Sequence, residues 1–266
     1  MNEVRIDVNQ QKEISLTILK NVQLFCEKNS IKFYVAYGTL LGAVRHQGFI
    51  PWDDDIDIIM LREDYNNFVN SYRDSRFECI AFENNRFYVP YAKVIDPQTK
   101  IVSESVISKE PLGIGIDIFP IDYLSDDKIE AQRIKNGFTI DYTFLRYSLF
   151  NNINELKDKS VLKVIVYYIS RAFGFSYWVR RYKNRVIKYT TIEKKKYCAL
   201  LPLINSGAKP IFNSEIFDKL SSYKFEDTLV PSVEDYDQFL STVYGDYMTI
   251  PPVEKRITHE NNAYYK

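Results

Sequence analysis

Tyr37-Gly38-Thr39-Leu40-Leu41-Gly42-Ala43-Val44-Arg45-His46-Gln47-Gly48-Phe49-Ile50-Pro51-Trp52-Asp53-Asp54-Asp55-Ile56-Asp57-Ile58 is the stretch on which the reading of this chain turns. It divides into three pieces. The apolar run from Ile31 to Tyr37 predicts a buried strand closed by Gly38. Thr39 to His46 has helical spacing, with Leu40, Leu41 and Val44 on one face, Thr39 placed to cap the start and Gly48 to end it. Beyond the Pro51-Trp52 corner, Asp55-Ile56-Asp57-Ile58 alternates with period two. That predicts a strand with Asp55 and Asp57 on one face and the isoleucines on the other.

Two carboxylates side by side on a strand repel unless a cation sits between them. An all-oxygen ligand set suits Mg²⁺ or Mn²⁺, which keep room for water and substrate phosphates. Backbone N–H groups at Gly38 and Thr39, at a strand-to-helix turn, are expected to hold an anion. Arg45 and His46 supply cationic donors. One segment therefore offers metal ligands, a phosphate cradle and positive charge, the components of phosphoryl transfer. Asp53 either extends the ligand set or, with Asp54, forms a solvated acidic face. Taken singly, Gly38 would be a turn glycine and His46 a structural histidine.

The block from Gly38 to Asp57 resembles, nearly letter for letter, the hallmark of the LicD family, which includes the fukutin-type proteins: GTLLGAVRH-x-GFIPWDDDID. The resemblance implies an α+β fold. Its core would be nucleotidyltransferase-like, of the DNA polymerase beta type, with a mixed β-sheet flanked by helices and a helical insertion. In that fold a glycine with a small hydroxyl residue, an Asp-x-Asp strand and a third carboxylate on a neighbouring strand make the site. Family members transfer phosphocholine or a phospho-polyol from a CDP-activated donor to a glycan.

The third carboxylate is sought in Gly113-Ile114-Gly115-Ile116-Asp117-Ile118-Phe119-Pro120-Ile121-Asp122. A lone Asp117 in an apolar strand is costly unless paired or metal-bound. It is assigned as metal ligand or general base, and LicD sequences have a similar D-I-F-P-x-D segment. Asp122, beyond Pro120, reads as a cap or turn residue. Lys93 lies on an alternating strand, Tyr88 to Ile95, and faces either a donor phosphate or water; a similar lysine precedes the Asp-x-x-Thr turn, here Asp96 to Thr99, in LicD-like proteins. Phe77 to Phe82 and Lys100 to Val106 read as further strands, Arg62 to Tyr72 as a short helix, and Asn9 to Asn29 as an amphipathic one. Near the end, Ser232 is read as the cap of a helix from Val233 to Tyr244, stopped by Gly245. The ending Tyr244-Gly245-Asp246-Tyr247-Met248, Pro251-Pro252, Arg256 and His259 also resembles the family. Arg256 would clamp a phosphate and His259 would be a proton or phosphate partner.

Composition bounds the rest. The 266 residues carry 35 basic and 35 acidic side chains, so no bulk attraction to nucleic acid is implied. Cys26, Cys79 and Cys198 are scattered, which suggests neither a disulfide framework nor a zinc cluster and fits a reducing compartment. There is no apolar leader and no run of about 18 apolar residues, so no membrane span is expected. The zero total hides an asymmetry: between Lys157 and Lys196, 12 basic residues face two acidic ones, a net of +10. Interleaved with aromatics, this region is either a helical subdomain with its apolar side in the core or a surface that docks on the inner face of a membrane.

These readings divide the chain into a catalytic core over residues 1–125, a basic helical subdomain over 126–210 and a C-terminal segment, 211–266, that completes the core and the donor pocket. The expected protein is cytoplasmic, with peripheral contact to the cell membrane. Its expected reaction is metal-dependent transfer of phosphocholine from CDP-choline to a sugar hydroxyl of a cell-surface glycan precursor, teichoic acid or capsule in type and lipid-linked, with release of CMP. Asp55, Asp57 and Asp117 hold the metal; Gly38, Thr39, Arg45, His46, Lys93, Arg256 and His259 bind substrate. Phosphoglycerol or phosphoribitol transfer from a CDP-polyol, and a nucleotide-sugar glycosyltransferase using an Asp-x-Asp site, are the alternatives.

Overall fold

The computed structural model describes residues 4–102, 112–156, 160–201, 210–256 and 262–266. The chain forms two compact units, one of residues 1–121 with 215–266 and one of residues 122–214.

The first unit opens with β1 (Arg5–Ile6) and α1 (Val8–Asn29). The Asp7 carboxylate accepts from the N–H groups of Asn9 and Gln10, while the Gln10 side chain accepts from the Asp7 N–H. This reciprocal cap satisfies N–H groups the helix cannot use itself. Ile14, Ile18 and Val22 are buried, and Phe25 meets the rings of Phe68 and Tyr72.

Next, β2 (Tyr34–Val35) is shorter than the apolar run predicts, because Tyr37, at φ 49°, already starts α2 (Tyr37–His46). Thr39 does not cap this helix, and Gln47 at φ 57° ends it in place of Gly48. The strand β3 (Asp57–Leu61) begins two residues late, so Asp55 stands just ahead of it. Then come α3 (Arg62–Ser71), β4 (Glu78–Ala81), β5 (Ala92–Ile95), β6 (Thr99–Val102) and β7 (Gly115–Ser125). Residues 103–106 of the strand predicted over Lys100 to Val106 lie outside the described residues. Five strands run in the order β2-β3-β7-β5-β4, with β3 and β7 parallel and the other neighbours antiparallel. The mixed sheet of an α+β protein is what the resemblance implies. Asp122 is fully buried within β7 and is no turn residue.

The second unit holds α4 (Lys128–Ser148), α5 (Val161–Phe173), α6 (Phe175–Tyr189) and the antiparallel pair β8 (Tyr197–Leu200) and β9 (Ile211–Asn213). Asp141, buried on α4, accepts from Nε of Arg181 at 2.8 Å and of Arg185 at 2.5 Å, which ties α6 to α4 by a charge-assisted fork. Among the described residues no helix is long and apolar enough to cross a membrane.

The chain then returns to the first unit. β10 (Leu220–Phe225) and β11 (Thr228–Val233) form a hairpin whose turn residue Glu226 adopts φ 52°. Ser232 lies in β11, where its Oγ donates to Val35 O at 2.6 Å. The cap of α7 (Tyr236–Tyr244) is instead Asp235, which accepts from Gln238 N at 2.9 Å, and Gly245 at φ 72° ends the helix as predicted. Finally β12 (Asn262–Tyr265) pairs with β1 and β6.

The hairpin turn holds the loop that carries the acidic run. Glu226 N–H donates to Gln47 O at 2.8 Å, and its Oε1 accepts from Phe49 N at 2.9 Å. Two glycines permit this approach. A Cβ on Gly48 would lie 2.2 Å from Glu226 Oε1, and one on Gly42 would lie 2.4 Å from Gly48 O. The first obstacle is the end of a flexible side chain, the second is backbone. Gly42→Ala should therefore cost about 2 kcal/mol or more and Gly48→Ala less, with Glu226→Gly removing most of the Gly48→Ala penalty. Urea midpoints at constant slope measure this; equal costs at the two glycines would refute the packing order.

Candidate active site

The parallel pairing of β3 and β7 sets Asp57 beside Asp117, and the antiparallel pairing of β5 and β7 sets Lys93 beside Asp117. Two carboxylates and an ammonium thus stand in a row across three strands. Asp117 N–H donates to Ile56 O at 2.9 Å and Ala36 N–H donates to Asp57 O at 3.0 Å, which fixes the backbone on both sides.

Thr39 takes a different part from the one its sequence suggests. Its N–H donates to Ala36 O at 3.1 Å, so that group is not available to an anion. Its Oγ accepts from Asp57 N–H at 2.8 Å, and the residue is 2% exposed. Thr39 positions Asp57 and thereby sets where β3 begins. Gly38 departs in a related way. A Cβ there would lie 2.7 Å from Asp53 Oδ2, so a carboxylate, rather than the expected phosphate cradle, occupies the space over this glycine. A negative group near a helix start is favoured by the helix dipole.

Lys93 forms an ion pair with Asp117, so its side chain turns to that carboxylate. Burial works against its charge, yet Asp117, Asp55 and Asp57 outweigh burial and hold its pKa above the ordinary lysine value. Asp117 is raised above the usual carboxylate range by burial, against the pull of Lys93; Asp55 raises it further, and a hydrogen bond from Tyr91 lowers it. So Asp55, although exposed and ahead of the strand, belongs electrostatically with Asp57 and Asp117.

Asp53, Asp54 and Asp55 each offer a carboxylate oxygen, all within 4.8 Å of one another. Asp54 is buried, so the reading of Asp53 and Asp54 as a solvated face does not hold for it. Asp54 N–H donates to Asp53 Oδ1 at 3.1 Å. Oxygen donors this dense suit a hard divalent cation. The Asp53, Asp54 and Asp55 carboxylates fit the implied Mg²⁺ or Mn²⁺.

The cationic groups gather around Trp52. Arg45 donates through Nε to His46 Nε2 at 3.0 Å and through Nη1 to Tyr247 O at 2.8 Å. His46 Nε2 thus accepts from Arg45 and is not the cationic donor expected, and burial and the Arg45 charge lower its pKa. The His46 ring meets Trp52 edge-on at 6.3 Å, and the Arg256 guanidinium lies 4.4 Å from the centre of the Trp52 ring. Arg256 Nε donates to Pro251 O at 3.1 Å. His259 lies outside the described residues. Tyr244 connects the two groups: burial, then the charges of Asp57 and Asp53, raise its hydroxyl, and Arg45 lowers it.

The sequence reading assigned no role to Tyr91, Trp52, Tyr244 or Glu226. Trp52 and Tyr244 stand inside quoted motifs, so their motif membership was a signal; Glu226 had none. A cavity of about 550 Å³ near Tyr72, Asp74, Cys79 and Arg86 contains none of the site residues.

Comparison with known proteins concerns the sequence as a whole. Residues 30–150 match the family model described as LicD/FKTN/FKRP, nucleotidyltransferase domain. Over 98% of both chains, the sequence is 30% identical to the lipopolysaccharide cholinephosphotransferase LicD of Haemophilus influenzae. An uncharacterized protein of Rickettsia typhi is 38% identical over 32% of this chain and 28% of its own length. One of Rickettsia prowazekii is 48% identical over 21% of this chain and 22% of its own. With likeness over nearly its whole length and the motif carried on adjacent strands, the chain belongs to the LicD family of transferases.

Proposed function

We propose that this protein transfers phosphocholine from CDP-choline to a sugar hydroxyl of a cell-surface glycan, of the lipopolysaccharide kind or a related lipid-linked precursor, and releases CMP. The reading rests on one observation above all: Asp57, Asp117 and Lys93 in register on three adjacent strands, with Asp57 two residues after the Asp53-Asp54-Asp55 run. The similarity to a lipopolysaccharide cholinephosphotransferase supports the transferred group and the acceptor class. The strand order and the family model's description support a nucleotidyltransferase-like core.

In this reading the acceptor oxygen forms a bond to the choline-bearing phosphorus as the bond to the CMP oxygen breaks, and the acceptor proton passes to a carboxylate of the aspartate group. A divalent cation held by Asp55, Asp57 and Asp117, with Asp53 at the edge, would neutralise charge on the transferring group. Asp117 keeps its position through the Lys93 ion pair and the Tyr91 hydrogen bond. Arg45, which contacts His46, and Arg256, which lies over Trp52, supply positive charge to the nucleotide phosphates, and the tip of Lys93 supplies more. Thr39 acts through Asp57 and Gly38 through Asp53, as positioning residues.

Three outcomes follow. CMP release from CDP-choline, with the glycan acceptor present, should stop on addition of EDTA and return with Mg²⁺ or Mn²⁺; release from CDP-glycerol or CDP-ribitol alone would move the donor to a polyol, and UDP-sugar turnover alone would make the protein a glycosyltransferase. Asp57→Asn should lower turnover at least about 100-fold while leaving the thermal midpoint unchanged or raised, because it removes one of two adjacent like charges. The same variant should lose most of the midpoint rise that Mg²⁺ gives the unaltered protein; full activity would sink the ligand assignment. Lys93→Met, which leaves Asp117 without its counter-ion, should cost about 2 kcal/mol in metal-free buffer and gain more from added Mg²⁺ than the unaltered protein does. An equal gain would show that the ammonium and the cation do not share Asp117.

A further inference from the structure

The apolar face of α5 points away from the protein. At 100° per residue, Val161, Leu162, Ile165, Tyr168, Ile169 and Phe173 fall on one side of the helix, and all six are exposed, Val161 and Leu162 by 77% and 72%. The side that packs is the opposite one: Tyr167 and Ser170 are buried, and Trp178 of α6 donates Nε1 to Ser170 O at 3.0 Å. An amphipathic helix on a water-soluble core presents the reverse orientation. The expectation of an apolar side in the core fails here, and the exposed face needs an occupant.

Charge identifies that occupant. From Ser160 to Tyr189 the sequence holds seven basic residues and no acidic one. Arg181 and Arg185 are engaged by Asp141, and Arg171 donates to Phe150 O. Arg180 and Lys188 are exposed on α6. With 13 residues, α5 is about 20 Å long, too short to cross a bilayer. An apolar helix face on α5 with exposed positive charge on α6, the helix that packs against it through Trp178 and Ser170, matches the boundary layer of an anionic bilayer, where apolar side chains enter among the acyl chains and basic ones meet lipid phosphates.

We propose that α5 and α6 form a membrane-docking hairpin: α5 lies in the interfacial plane of an anionic lipid surface with Ile165 and Ile169 inserted, and α6 supplies the charge. The inference does not depend on the transfer reaction. The test uses the full-length protein and vesicles of phosphatidylglycerol with phosphatidylethanolamine, against vesicles of phosphatidylcholine alone. The protein should float with the anionic vesicles at least about tenfold better. Ile165→Glu with Ile169→Glu should abolish flotation with an unchanged thermal midpoint, since both side chains are exposed. Arg180→Gln with Lys188→Gln should weaken binding to anionic vesicles several-fold and leave binding to neutral ones as it was. Loss of activity of the transferase together with intact flotation would count against the proposed reaction and leave docking standing. Failure to float at physiological salt would overturn docking. So would light scattering that shows a dimer dissociated by Ile165→Glu with Ile169→Glu, because a second copy would then cover the face.

Discussion

Everything at the site depends on carboxylates being held next to one another. The parallel register of β3 and β7 gives Asp57 and Asp117 no freedom to separate: they are pleat neighbours on adjacent strands. In a partly dry environment such a pair repels strongly. The sheet tolerates it because β5 delivers Lys93 to the next position in the same row. The register of three strands is therefore one electrostatic decision. Moving any of them by one residue would put a charge among the isoleucines on the other face.

That row is only as steady as the elements that fix it, and these come from distant parts of the chain. Thr39 accepts from the Asp57 amide, Glu226 holds Gln47 and Phe49, and Ser232 fastens β11 to Val35. The segment after residue 215 is thus no appendage. It anchors both ends of α2's neighbourhood and brings Tyr244 and Tyr247 to Asp57 and Arg45. Gly38, Gly42 and Gly48 each give way to a close neighbour, which explains a glycine every few residues in a segment that has to fold back on itself.

Much of this was legible in the sequence, for a definable reason. Asp57 and Asp117 stand in alternating strands, where the period says that a charge enters a buried sheet and must find a partner; for Lys93 the period left both faces open, and only the pairing of β5 with β7 decides. Asp7 and Asp235 cap their helices, yet the sequence reading picked Ser232 for the second, since a hydroxyl before a helical pattern is as good a local cap as a carboxylate. What decided between them was Val35 O, almost two hundred residues away. The same blindness hid Glu226 and the role of Thr39, whose partners are fixed only by the fold. For the region of α5 the sequence left two readings open, an apolar side in the core or a docking surface, because composition states which residues occur together and not what they touch; the exposure of Val161, Leu162 and Ile165 removes the first.

Lys93 explains how such a site can exist before its substrate arrives. A centre whose carboxylates were balanced only by a metal would couple folding to metal binding. Here the chain carries a counter-ion of its own for Asp117. A lysine suits that post better than an arginine would: its ammonium is a compact charge on a flexible four-carbon stem, able to leave one anion for another without the loss of a rigid two-pronged contact. On the proposed reaction, the group that balances Asp117 at rest needs to move only its tip to meet an incoming phosphate. The charge that lets the fold form and the charge that the reaction requires are then the same ammonium, and the register that sets it beside Asp117 serves both.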